Sequence, residues 1–505
     1  MTKRRNIYGL WALLLLCTTG VSAQATYDVI ERRNFWNAGA NPAGIRMDSV
    51  TISNAELYGT YDSGGFRDSW QPSEGWSAGA VARTITHTER YSMAGSFAFD
   101  HASGRDMAGS MFVRPGHYPV DILEFTPGRK IRQTYAFAGT VSVDISPNWR
   151  LGAGIDFKSA NYAKRKDLRH TNYRLDLSIA PGVIYHRGDK AVGMSYLFGK
   201  NSETIKAEKI GTTELSSYMA FLDKGLMYGA SEEWDGSGIH LSETGINGFP
   251  IKELSHGAAI HMQWGRFFGD VAYLYSFGSA GEKRTIWFEF PTYRVSSHLG
   301  YRFGKGNAEH FLRLNIDWSR QVNNENVLGK ELSNGITITH IYGSNRIFEK
   351  DVFSLRAEYE LVAPGDELRV GAEVSSIDRL TTQMFPYIVT QSMVRGHAYI
   401  SGVLHLGRLD LKAGVAFSKG NFDGKNKEID TEMEPGDPPS HLAEYHDLQN
   451  EYMTAPRVTS DIALRYRFWR EIYAEAGAVY THGFNLQYIG GANRWHGTIK
   501  IGYTF

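Results

Sequence analysis

Few side chains in this sequence are typed and spaced for chemistry. His397 and Ser401 share one face of the segment 392–405, with Arg395, Tyr399 and His405. A Ser–His pair is the minimum for hydrolysis through an acyl intermediate, the imidazole taking the hydroxyl proton. Four residues along an extended strand separate the two by about 13 Å, whereas proton transfer needs about 3 Å. Gly-x-Ser-x-Gly, His-Glu-x-x-His and phosphate-loop patterns are absent, and Asp235-Gly236-Ser237-Gly238 reads as a loop turn. The 17 histidines show no metal-ligand spacing. The expectation is therefore a protein that is not an enzyme and carries neither cofactor nor metal.

A second set of residues is defined by alternation. Arg132, Asp156, Lys158, Arg174, Asp176, Arg313, Asp317, Arg356, Glu358, Glu373, Asp410 and Lys412 fall on the polar faces of alternating segments, as do Asp461, Arg465 and Glu475. If those segments are strands of a barrel, these side chains line its lumen. They would either tune a solute pathway or pair with one another and stiffen a closed interior; mixed signs predict no ion preference. A third set lies in the stretch 200–253. Tyr218, Met219, Phe221, Leu222, Leu226 and Met227 have helical spacing. They suggest a short helix that plugs the pore or packs a small core within its own loop.

The elements that must position these residues are strands. In 150–158, Leu151, Ala153, Ile155 and Phe157 share one face while Gly152, Gly154, Asp156 and Lys158 share the other. The same period of two recurs at 173–179, 312–318, 353–359, 368–374 and 409–415, with no helices between. Connections alternate in length. Short ones fall at 87–90, 146–149, 186–190, 265–267, 304–310, 362–366, 406–408 and 468–470, with turn formers such as Ser146-Pro147-Asn148 and Pro364-Gly365-Asp366. Long ones lie near 63–75, 101–130, 161–170, 200–253, 279–292, 320–350, 376–391, 419–456 and 482–493. That asymmetry belongs to all-β transmembrane barrels, antiparallel and up-and-down, with short periplasmic turns and long extracellular loops. Counting strands gives about 18, with 16 the nearest alternative. Trp149, Tyr185, Trp264, Phe267, Tyr301, Phe303, Phe468 and Trp469 cluster beside the short turns, as an interfacial girdle does.

Composition agrees. Aromatic residues make up 13% and glycines number 54, yet mean hydropathy is −0.34, as expected when every second strand residue meets lipid. The 54 basic and 54 acidic residues balance, so a nucleic-acid partner is not indicated. Residues 1–23 read as a secretory signal: Lys3, Arg4 and Arg5, an apolar run from Leu10 to Cys17, then Val21-Ser22-Ala23 for cleavage before Gln24. Cys17 lacks the small residues that precede a lipidated cysteine, and cleavage leaves a mature chain without thiols. Residues 24–53 form an N-terminal periplasmic or plug segment and 54–505 the barrel. There is no room before the first strand for the plug domain of about 100 residues that a TonB-type receptor carries, at usual domain sizes.

At the C-terminus, Ile499, Ile501, Tyr503 and the final Phe505 alternate with Lys500, Gly502 and Thr504. This resembles the C-terminal signal by which outer-membrane barrels are recognised by their assembly machinery, a free strand able to add to a sheet edge. With the signal peptide and repeated hairpins, the chain resembles outer-membrane β-barrels of the Bacteroidota, in particular a barrel family known only as a domain of unknown function. The stretch Phe35-Trp36-Asn37-Ala38-Gly39-Ala40-Asn41-Pro42-Ala43-Gly44 is similar to the Asn-Pro-Ala region of fatty-acid-transporter-like barrels, where it can sit inside the barrel as a plug. The resemblance implies an outer-membrane location, lipid contact, a possible transport role and no catalytic residues. Three functions follow as expectations: a porin-like channel or transporter for a small solute, a non-transporting accessory or anchor for an unidentified protein partner, and, last, an outer-membrane hydrolase.

Overall fold

The computed structural model describes residues 27–37, 40–166, 168–208, 219–233, 240–241, 248–282, 285–305, 307–333, 336–364, 366–384, 387–424, 442–469 and 471–505. The expected signal sequence lies outside them. A short helix α1 (Tyr27–Arg33) and two 3-10 turns (Phe35–Asn37 and Pro42–Met47) precede the strands. These are β1 (Ile52–Gly64), β2 (Glu74–His87), β3 (Tyr91–Ser110), β4 (Asp121–Ser146), β5 (Trp149–Lys164), β6 (Arg169–Arg187) and β7 (Lys190–Glu208). A small hairpin follows, β8 (Met219–Asp223) and β9 (Gly229–Glu233). Next come β10 (Phe249–Trp264), β11 (Phe267–Glu282), β12 (Thr285–Lys305), β13 (Ala308–Ser333), β14 (Ile336–Ala363), β15 (Asp366–Met384), β16 (Tyr387–Leu406) and β17 (Leu409–Gly424). Helix α2 (Leu442–Thr454), β18 (Arg457–Arg467), β19 (Ile472–Gly483) and β20 (Asn493–Thr504) complete the chain.

Every strand pairs antiparallel with its neighbours in sequence, except that β7 passes over β8 and β9 to pair with β10. β20 closes onto β1, with Ile501 opposite Leu57 and Lys500 opposite Tyr58. The result is a closed barrel of 18 strands, which leaves no strand edge to satisfy. The expected short turns all fall at one end of it, the short-turn end.

The alternation sorts side chains to two faces. Leu151, Ile155, Val192, Ile260, Val271, Leu312, Val370, Val415, Ile462 and Ile499 are exposed on the outside. Trp149, Trp264, Tyr301, Tyr466 and Trp469 ring them near the short turns. A band of this extent would be costly in water and is neutral against lipid chains. On β4 it runs from Tyr135 to Ile145, so the strand's first residues, 121–130, project beyond it.

The expected long loops at 279–292, 320–350 and 376–391 are corrected. All three are largely strand, because β11 runs to Glu282 and β12 starts at Thr285, β13 and β14, of 26 and 28 residues, run to Ser333 and from Ile336, and β15 runs to Met384 with β16 starting at Tyr387. Polar runs such as Asn323-Asn324-Glu325-Asn326 read as loop, yet here their backbones are paired, with register shifts at Asn323/Asn324 and Val327/Leu328.

Candidate functional site

The interior of the barrel is filled at both ends by the chain's own segments. At the short-turn end, residues 27–37 and 40–47 lie against the inner wall. Asn41 starts the second 3-10 turn: its Oδ1 accepts from the Ala43 N–H at 3.1 Å and Pro42 follows at the first position. Its Nδ2 also donates to the Val183 and Met194 carbonyls at 3.2 and 3.3 Å. Glycines on the inner wall make this close approach possible. A Cβ at Gly152 would lie 2.3 Å from the Ala43 nitrogen, and one at Gly182 would lie 2.3 Å from Asn41 Oδ1.

Trp36, 2% exposed, donates from Nε1 to Gln263 at 2.6 Å and packs on His261 and Phe268. Phe35 reaches Phe268 and Phe311. Charges then tie the segment around the wall: Asp28 to Arg83 at 2.7 Å, Arg32 to Glu360 at 3.3 Å, Arg33 to Glu309 at 3.3 Å and Arg46 to Asp144 at 2.5 Å. Arg46 also donates to the Thr88 and Glu89 carbonyls of the β2–β3 turn. So a segment of about twenty residues touches the wall from β2 round to β14.

At the opposite end a lid fills the mouth. It comprises the loop 111–120, the hairpin β8–β9 and helix α2. Met111, Phe112, Tyr118, Val120, Leu222 and Leu226 form one core with the wall residues Phe249, Phe288 and Phe290. Glu203, fully buried on β7, accepts from the Val113 N–H at 2.8 Å and from Asn172 at 2.9 Å. Tyr118 donates to Asn201 at 2.6 Å. The hairpin is held by Lys224–Glu325 at 2.6 Å and by Thr381 donating to the Gly225 carbonyl at 3.0 Å. Beside it a cavity of about 90 Å3 is lined by Asp121, Asp223, Lys350, Arg379 and Tyr445. Asp121 and Asp223 are cross-strand partners. Enclosure pushes the Asp121 carboxyl up to about 8, with the Asp223 charge adding to it, and the Ser110 hydroxyl opposing. Enclosure likewise pushes Asp223 up to about 7.

The expected plug residues meet mixed outcomes. Tyr218 lies outside the described residues. Phe221 and Leu222 are on β8, and Leu226 is in the turn with φ +50°. The expected helix is therefore a β-hairpin, joined to the outer end of β4 through Phe221 opposite Leu123. Both faces of β8 are buried, with Leu222 in one core and Phe221 in another beside Leu123, Met227 and Leu442. An apolar run buried on two sides has no period of two to read.

The inner wall is polar, and Arg132, Asp156, Lys158, Arg174, Asp176, Arg313, Asp317, Arg356, Glu358, Glu373, Asp410 and Lys412 stand on the side of their strands opposite the exposed apolar residues, Arg174 against the lid and Arg313 against the plug. Most are matched. Arg174 binds Asp176 at 2.8 Å and Glu203 at 3.3 Å. Arg313 binds Glu360 at 2.7 Å and Glu358 at 3.3 Å, and Arg356 binds Glu358 at 3.1 Å. Asp410 takes His405 at 2.7 Å as well as Arg467. Arg465 and Lys500 hold Glu475 at 2.7 and 3.6 Å. Arg132 approaches Asp100 at 4.0 Å, and Arg395 approaches Glu373 at 3.9 Å. A depression of about 460 Å3 lies in this wall, lined by Arg356, Arg369, His397, Ser401, Lys412, Asp461, Glu475 and Lys500.

His397 does meet a serine, but not Ser401. Its Nδ1 is 2.7 Å from the Ser418 hydroxyl on β17, directly opposite in register. Ser418 is buried and Glu373, opposite His397 on β15, is turned to Arg395. Sequence separation hid this pair, since only the register of β16 on β17 brings it together. At the C-terminus, Ile499, Ile501, Tyr503 and Phe505 all point outward and exposed. The backbone of Phe505 exchanges two hydrogen bonds with Ser53, at 2.8 and 2.9 Å, so the last residue takes part in closure.

A closed barrel with an apolar outer band, a polar inner wall and an aromatic ring defines an outer-membrane-type β-barrel. The chain belongs to the family described as "Family of unknown function (DUF6850)", which matches over residues 42–505. No curated protein matches it. Among solved structures it is similar to CdiB from Acinetobacter baumannii, at 10% identity and a TM-score of 0.37, over 90% of this chain and 60% of that one. It is also similar to the copper transporter OprC, at 9% identity and a TM-score of 0.43, over 90% and 81%. A third is the siderophore receptor PirA from Acinetobacter baumannii, at 8% identity and a TM-score of 0.40, over 91% and 81%. The chain spans less than two thirds of the length of the first of these. At such identities the likeness is one of barrel fold alone.

Proposed function

We propose that this chain is an outer-membrane transport barrel for a small solute, closed at rest by its own N-terminal segment and by an inward-folded lid. The observation that carries this reading is the sequence of layers along the lumen: a docked segment at the short-turn end, a polar chamber, then an apolar lid. The two closures are attached by local contacts that can be released one at a time, whereas the wall is a continuous ladder. This arrangement favours a gated transporter over an open porin. The lipid-facing band and the outward C-terminal aromatics support residence in the outer membrane and delivery by the barrel assembly machinery.

Efflux of entrapped glucose from proteoliposomes tests the reading. A variant with Trp36→Ala, Asn41→Ala and Phe221→Ala, which weakens both closures, leaks while the wild-type protein retains its load. Equal retention by a variant that migrates as a folded barrel would count against transport. The accessory reading has one observation of its own. The β13–β14 ribbon projects beyond the band and exposes Leu332, Ile341 and Tyr342, a surface a protein partner could cover. Co-purification of a stoichiometric partner, lost on Leu332→Ser with Tyr342→Ser, would favour it.

A further inference from the structure

We propose that the depression in the wall between β15 and β20 binds a small hydroxylated solute carrying an anionic oxygen group, a carboxylate or a phosphate. The proposal rests on the transport reading and names the solute class of its chamber.

The floor of the depression is built from small residues brought level by register. Ser401 lies opposite Gly414, Ala463 opposite Gly477, and Gly477 opposite Thr498. Their truncated side chains leave about 460 Å3, within the range of about 300–1,000 Å3 usual for small-molecule pockets. The surround is charged, and the bookkeeping of its charges is uneven. Glu358 is matched by Arg313 and Arg356, Glu475 by Arg465 and Lys500, and Asp410 by His405 and Arg467. Two cations of the surround, Arg369 and Lys412, have no ion pair and no side-chain hydrogen bond among the described residues. They stand on β15 and β17, with only β16 between and two residues out of register, so their backbones are about 12 Å apart. Long flexible side chains from both can converge on one group in the gap.

The expectation of no ion preference is therefore revised. Pairing removes most of the mixed charge and leaves a local cationic excess. Cations that lack an ion pair or hydrogen bond favour an oxyanion, which Arg can grip with two parallel N–H groups. Asp461, opposite Gly414 on β18 and also without an ion pair among the described residues, supplies an acceptor at the far side. It suits a hydroxyl of the same solute. A bare inorganic anion would leave Asp461 without a partner, and a neutral sugar would leave the two cations without one.

The test is isothermal titration of the refolded full-length mature protein in detergent with glucose 6-phosphate, glucuronate and glucose. The anionic sugars are expected to bind about tenfold or more tightly than glucose, and the stronger of the two tells phosphate from carboxylate. Arg369→Gln and Lys412→Gln should each weaken that binding by about tenfold or more. Lys412→Arg should retain most of it, and Lys158→Gln, a lumen cation on the far wall, should leave it unchanged. Glucose binding as well as its anionic relatives, no binding by any of the three, or wild-type binding by both Gln variants with heat-modifiable migration intact would each overturn the proposal. Failure of the transport reading is separable: the anionic sugar would bind as stated, yet no solute would leave proteoliposomes through the variant with weakened closures.

Discussion

Replacing Gly152 by alanine should loosen the N-terminal plug without harming the barrel. The added Cβ would lie 2.3 Å from the Ala43 nitrogen, 2.6 Å from its Cα and 2.7 Å from the Pro42 carbonyl carbon, against an ordinary contact of 3.4–4 Å. All three atoms are backbone, so no rotamer change relieves the clash, and the turn 42–47 must retreat by about 1 Å. Overpacking of this kind costs about 1–3 kcal/mol. Retreat also stretches the bond from Ser142 Oγ to the Ala43 carbonyl, now 3.1 Å. Strand β5 itself accepts alanine, as its neighbour Ala153 shows. The assay is hydrogen exchange of the detergent-solubilised protein, comparing the peptide 40–47 with 150–158. A cost of about 1–3 kcal/mol in local opening accelerates exchange in 40–47 by about 5- to 150-fold, with 150–158 unchanged. Gly396→Ala is the control, since its nearest atom would be 3.9 Å away. Unchanged exchange in 40–47, or equal acceleration in both peptides, would refute docking of this turn on β5.

Three further outcomes follow from named contacts. Asn41→Ala removes two donations to the wall and the cap of the 3-10 turn. It should destabilise docking by about 1–3 kcal/mol, read in the same peptide, with wild-type protection counting against the cap. The lid should slacken with pH: Asp121 and Asp223 have folded pKa values of about 8 and about 7, raised above unfolded values of about 3.9. Their protonated forms are favoured by folding, so this stability is full below about pH 4 and is lost as pH rises through 7 and 8. Exchange in 219–233, corrected for its chemical rate, should rise from pH 6 to pH 8.5, and Asp223→Asn should blunt the rise; a flat profile in the wild-type protein contradicts it. Phe505→Ala keeps the backbone bonds to Ser53 and removes only an exposed ring. The folded barrel should keep its stability within about 0.5 kcal/mol, while the heat-modifiable fraction in cells falls through slower assembly. Assembly at the wild-type rate would remove the ring from that role.

The fold was legible wherever one face of a strand meets lipid and the other meets polar lumen. Segments such as 150–158 and 409–415 state that division in every second residue, and the turn formers between them set the ends. Legibility failed where both faces of a strand are buried or both are wet. β8, apolar from Met219 to Leu222, imitates a helical stripe, and polar runs in the outer halves of β13 and β14, such as 323–326, imitate loop. The site was legible only as composition. The inward charges could be enumerated, but which of them are matched depends on register across strands: Arg356 finds Glu358 on its own strand, whereas Arg313 finds its carboxylates a strand away. The same dependence hid the His397–Ser418 contact and the isolation of Arg369 and Lys412. In the Asn41-Pro42-Ala43 stretch each residue type has a structural reason, since capping, φ restriction and small size are what permit contact with Gly152 and Gly182.

Single-channel conductance of the refolded wild-type protein, residues 24–505, in a planar bilayer tests the central claim most directly. A lumen closed from both ends predicts a silent baseline with rare brief openings. Steady current should emerge only in the variant carrying Trp36→Ala, Asn41→Ala and Phe221→Ala. A steady current of porin size in the wild-type protein, unchanged in that variant, would contradict the account.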